Sequence, residues 1–143
     1  MTFIRTTVVA FLLSIAAPAL VAAQAPSSDA PAPAAFMQHM DRQVHTLLTF
    51  PNPNTQEEAM QLILQLAERT DAQGDPLFTF GRAVTPLKDI YTSDEHLGRR
   101  LLALEALRVI GGTEVSLALR AQLADEESAF VRKRTAVALS TLP

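Results

Sequence analysis

The chain has 143 residues, no cysteine, no tryptophan and a formal charge of −3. That length suits one small domain rather than two, and the missing thiols exclude disulfides, thiolate metal sites, cysteine nucleophiles and lipidated cysteines. An acidic balance with 12 basic residues argues against nucleic acid as a partner.

Met1 to Ala23 reads as a secretory signal peptide. Arg5 supplies the positive start, Ser14 is the only polar residue from Val8 to Ala23, and Pro18 interrupts the apolar run. Small residues at Val21-Ala22-Ala23 and Ala23-Gln24-Ala25 suit cleavage after Ala23 or Ala25. The run is shorter than the about 20 apolar residues of a spanning helix, so no stable membrane span is expected after cleavage. The expected location is periplasmic or secreted, and the chain meets that oxidising space without disulfides. Residues 24–35 carry Pro26, Pro31 and Pro33 among Ala and Ser, the composition of an extended linker. Residues 36–143 remain as the folded domain.

That domain reads as six short helices. Phe36, Met40, Val44, Leu47 and Leu48 form a stripe at helical spacing, stopped by Phe50-Pro51-Asn52-Pro53. Thr55 and Glu58 have the spacing of a capping box, and Ala59, Leu62, Ile63 and Leu66 follow on one face. Asp75-Pro76 predicts the start of a third helix that runs to Tyr91, kinked at Pro86. Ser93 is the expected cap of the fourth helix, which ends at Gly111-Gly112. Thr113 opens the fifth, and Ser128 or a neighbouring acid opens the sixth. No segment alternates with the period of a half-buried strand, so the predicted class is all-α.

The second half repeats. Val84 matches Val115 and Asp94-Glu95 matches Asp125-Glu126 at an offset of 31, while Ala106-Leu107 matches Ala138-Leu139 and Ile110 matches Leu142 at 32. A helix pair recurring at this spacing marks an α-solenoid. Over residues 83–143 the chain resembles the HEAT-repeat family, in particular the short bacterial HEAT-like repeats of phycobilisome-lyase type. The resemblance is carried by Val131-Arg132, Ala136, Ala138-Leu139 and Leu142, and in the preceding repeat by Arg100, Ala103, Ala106-Leu107 and Ile110. Arg99 stands where that family prefers valine. The resemblance implies a short solenoid of about three antiparallel helix pairs, and it implies a fold more than an activity.

No catalytic, cofactor-binding or metal-binding constellation is legible. His39, His45 and His96 are not at metal-site spacing, and no phosphate loop or serine elbow occurs. Glu57-Glu58 and Glu126-Glu127 fall at expected helix starts, where negative charge is favoured. Asp94 with Arg100, and Asp125 with Arg132, are the expected ion pairs of the repeat turns. Arg99, Lys133 and Arg134 are then left for an acidic partner. Residues 96–143 carry seven basic and five acidic groups, and residues 36–95 carry four and nine. Leu119, Leu123, Val137 and Leu142 are expected to form an apolar edge of the last pair, open to another protein or to self-association. The expected function is therefore a non-catalytic interaction module or scaffold. The alternatives are a ligand carrier or lyase-like protein, by the resemblance alone, and a simple envelope-stress helical bundle.

Overall fold

A computed structural model describes residues 33–142. The residues read as a signal peptide, and most of those read as a linker, lie outside the described residues. Among the described residues six helices occur: α1 (Pro33–Thr49), α2 (Pro53–Ala67), α3 (Val84–Ser93), α4 (Leu97–Ile110), α5 (Gly112–Asp125) and α6 (Ala129–Ser140). No strand is present among them; one isolated antiparallel bridge joins Thr70 and Pro76. The all-α class is as expected. α1 begins within the segment expected to be linker, at Pro33. Among the described residues, no helix is long and apolar enough to cross a membrane.

Local chemistry explains most boundaries, including those that differ from expectation. α2 starts at Pro53 because Asn52 caps it: its side chain accepts from the Asn54 N–H at 2.9 Å and the Thr55 N–H at 3.4 Å. Proline in the following position loses no helical hydrogen bond. Thr55 is therefore inside the helix, and the expected capping box does not start it. The third helix also begins later than expected. Asp75 closes a turn, donating its N–H to the Asp71 carboxylate at 2.9 Å, with Gly74 at φ +90°. The chain then runs through Phe78 and Phe80, whose rings stack at 6.1 Å, and a 3-10 turn, Gly81–Ala83, leads into α3. Pro86 thus falls in the first turn of α3, where its missing N–H is tolerated.

α4 and α5 are separated by a single residue, Gly111, at φ +65° and ψ −159°. L side chains are strained there, so glycine permits this immediate reversal. Ser93 does not cap α4; its hydroxyl donates back to the Asp89 carbonyl, and His96 occupies the cap position. Ser128 does cap α6, accepting from the Val131 N–H at 3.4 Å.

The helices pack in sequence order. α1 lies on α2, α3 on α4, and α5 on α6. Between these pairs, α3 touches both α1 and α5, and α4 touches both α2 and α6. The central pair therefore carries the core. Its buried residues include Leu87, Ile90 and Tyr91 of α3 and Ala103, Leu104, Ala106 and Leu107 of α4. Val44 and Leu48 of α1, Met60 and Ile63 of α2, and Val115, Leu119 and Val131 beyond complete it. Burying each large aliphatic side chain contributes about 1.5–3 kcal/mol.

Candidate interaction surface

The charged residues at the two turns were expected to pair within each repeat. The structure places them differently. Asp94 and Glu126 occupy the same position, each the first extended residue after its helix, with ψ of 136° and 117°. Each carboxylate accepts the N–H two residues on, from His96 at 2.8 Å and from Ser128 at 2.9 Å. The two turns thus correspond at an offset of 32, and Asp125 is only the exposed last residue of α5.

The arginine partners change accordingly. Arg99, not Arg100, meets Asp94, at 2.7 Å. It also hydrogen-bonds the Gln56 side chain and lies 3.6 Å from Glu57, so it clamps α2 to the start of α4. Its side chain is 13% exposed, which removes it from any partner surface. Arg100 instead bonds the buried carboxylate of Glu126 and donates from Nε to the Tyr91 carbonyl at 2.8 Å. Successive helix residues point about 100° apart, so neighbouring arginines reach opposite pairs. Arg132 does not pair with Asp125; its Nη1 donates to the Glu126 carbonyl at 3.2 Å.

Beneath this clamp lies a buried polar contact. The Tyr91 hydroxyl is 2.6 Å from Thr135 Oγ1, and both residues are fully buried. Thr135 spends its one hydroxyl proton on the Val131 carbonyl at 2.9 Å, so Tyr91 is the donor between them. Burial pushes the Tyr91 phenol above its ordinary value and nearby Glu126 adds to this, while Arg100 opposes it. These groups hold α3, α4 and α6 together. They are structural, with no route to solvent for the hydroxyls.

The residues expected at a partner surface differ in exposure. Leu119 is fully buried and presents nothing; Leu123 and Leu142 are half-buried. Lys133 and Arg134 are exposed, with no carboxylate within ion-pair distance among the described residues. Arg134 lies 5.6 Å over the exposed ring of Phe130. It borders a groove of about 480 Å³ between α4 and α6, with Leu101, Leu104, Val137 and Ala138 as its apolar surface. Glu105, Arg108 and Thr141 complete the lining. Arg108 Nε donates to Glu105 at 2.9 Å, and that bond raises the Arg108 pKa further. Val137, expected at the outer edge with Leu142, is 52% exposed and belongs to this groove. Leu142 lines a separate groove of about 420 Å³ with Leu117, Arg120 and Leu139.

Sequence reasoning missed Phe130, Arg108 and Leu101. A signal for the first existed: Phe130, Arg134, Val137 and Thr141 recur at three- and four-residue spacing, one stripe of α6. The α4 wall was not readable without knowing that α4 packs beside α6. The histidines do not converge. His45 Nδ1 is 2.9 Å from the Arg82 carbonyl, while His39 and His96 are exposed. No family model matches the chain, and neither a curated protein nor a solved structure matches it.

Proposed function

We propose that the chain is an exported, non-catalytic module of three stacked helix pairs, HEAT-like in arrangement, that binds another protein. One observation carries this reading: the packing order is that of a ladder. α1 and α5 both pack on α3, α2 and α6 both pack on α4, and the pairs α1–α2, α3–α4 and α5–α6 pack within themselves, which supports a stack of three pairs. Two consecutive turns built alike at an offset of 32 support it further. A stack of this kind offers a continuous surface rather than a closed cavity. Among the described residues Arg42, Arg69, Lys88 and Arg120 are likewise exposed without an ion pair, but Lys133 and Arg134 are adjacent on α6 and Arg134 borders the apolar groove, so this pair marks where a partner would be met.

The leader-like residues Met1–Ala23 support delivery to the periplasm or the medium. Intact-mass measurement of the exported protein is expected to show a start just after Ala23 or Ala25. Binding is tested by native pull-down from an envelope extract. The expected result is one stoichiometric partner with the wild-type protein, lost with Lys133→Glu/Arg134→Glu. Recovery of the same partner by the charge-reversed variant would contradict the reading.

A further inference from the structure

Resting on that reading, the geometry points to a specific occupant for the α4–α6 groove: a short amphipathic helix bearing acidic side chains on the edge of its apolar stripe. Three observations argue for this partner rather than an extended peptide or a nucleic acid. First, the groove has apolar side chains on both walls, Leu101 and Leu104 on α4 and Val137 and Ala138 on α6. Val137 is half exposed, and so is Phe130 beside it on the α6 stripe. Among the described residues there is no unpaired sheet edge to accept a strand, so affinity must come from side chains, which is the helix-in-groove mode. Second, the groove extends from Leu101 to Arg108 along α4 and from Arg134 to Thr141 along α6, about 10 Å at 1.5 Å per residue. That is two turns of an occupying helix, enough to seat apolar residues at successive three- and four-residue steps.

Third, the charges are placed at different ends. Arg100 near the start of α4 reaches Glu126 just before α6, so the two helices begin at the same end of the molecule. Arg134 lies in the second turn of α6 and Arg108 in the last turn of α4. The two guanidinium groups are thus on opposite walls and separated along the groove. Carboxylates seven residues apart on one helix have a matching spacing of about 10 Å. Arg134 is held over Phe130 and has no acidic partner among the described residues, so it is the stronger anchor. Arg108 already shares Glu105 and contributes less. Glu105 itself lines the groove and disfavours a uniformly acidic or polyanionic ligand, which a nucleic acid would be.

The test is fluorescence anisotropy on the full exported chain with a labelled helical peptide. It carries glutamates seven residues apart and leucines at the third and fourth positions between them. Binding in the micromolar range is expected, weakened about tenfold or more by Arg134→Glu and by Val137→Asp, and little changed by Arg134→Lys. Leu117→Ala, in the other groove, is expected to leave binding unchanged. The same peptide with lysines for glutamates is expected not to bind. All these positions are exposed, and circular dichroism confirms that each variant folds. Failure of the acidic peptide to bind at millimolar concentration overturns the inference. Equal binding by Arg134→Glu, or stronger binding of a single-stranded oligonucleotide or of anionic vesicles than of the peptide, overturns it as well. If the peptide fails while the pull-down still returns a partner lost on Lys133→Glu/Arg134→Glu, the groove occupant is wrong and the module reading stands. If both fail, the module reading falls too.

Discussion

Replacing Thr135 with valine removes one oxygen from the fully buried centre of the molecule and keeps the side-chain shape. The cost follows from the direction of the hydrogen bonds. Tyr91 donates to Thr135, and Thr135 donates to the Val131 carbonyl. Thr135→Val therefore strands the Tyr91 hydroxyl with no acceptor, a loss of about 1–3 kcal/mol. Tyr91→Phe is milder, because the Thr135 hydroxyl keeps its bond to Val131; it is expected to cost about 0.5–1.5 kcal/mol. In the double variant nothing is stranded, so its cost is close to that of Tyr91→Phe alone. The expected coupling is then about 1–3 kcal/mol. Urea unfolding followed by the far-ultraviolet helical signal measures it. With a slope of about 1–3 kcal/mol per molar urea, the Thr135→Val midpoint moves by roughly 1 M. Single costs that add to within about 0.5 kcal/mol in the double variant would refute the donor assignment and the buried contact behind it.

Three further outcomes are expected. Tyr91 is the only tyrosine in a chain without tryptophan, so tyrosinate absorbance reads this one group. Its pKa in the fold is raised above 10.0, so the stability it contributes is full below that value and declines as pH rises through the folded pKa, by at most about 1.4 kcal/mol per pH unit; a group titrating at or below 10 would contradict its burial. Glu126→Gln leaves the Arg100 charge without its buried carboxylate and is expected to cost about 3–5 kcal/mol, whereas Asp125→Asn stays within about 0.5 kcal/mol. Equal effects in thermal denaturation would show that Asp125 makes the turn after all. Gly111→Ala forces a side chain into a left-handed backbone and is expected to cost about 1–3 kcal/mol. Gly98→Ala, in the first turn of α4 with open space around its Cβ, is expected to stabilise by about 0.4–1 kcal/mol; the reverse order would count against the assigned backbone.

The helices were legible where apolar spacing and a terminator coincided. Val44 and Leu48, Ala59 and Ile63, and Ala103 and Leu107 follow helical spacing and are buried as that spacing implies. Gly111-Gly112 and Ser128 carry local signals that the structure uses directly. The start of α3 was not legible, because Asp75-Pro76 has the chemistry of a helix start and of a turn alike. The Asp71 carboxylate, accepting from both Gln73 and Asp75, makes it a turn. Asn52 and Thr55 competed for one cap, and the proline after Asn52 favoured the earlier site.

The candidate site was legible as composition and not as geometry. Lys133 and Arg134 were identified from their charge, and both are exposed. Arg99 carries the same charge but is drawn inward by Asp94, Gln56 and Glu57, two of them more than 40 residues away in sequence. Leu119 and Val137 are both aliphatic residues on the last helix pair, yet one is core and the other is groove wall. Only the packing of α5 and α6 against their neighbours separates them.

The most direct test of the functional claim is site-specific photocrosslinking in exporting cells. A photoreactive residue replaces Val137 in the α4–α6 groove or Leu117 in the groove beside Leu142. The account predicts one adduct from position 137, whose crosslinked segment maps by mass spectrometry to an acidic amphipathic helix, and none of that partner from position 117. An adduct formed at 117 and absent at 137, or a crosslinked segment that is basic or extended, would contradict it.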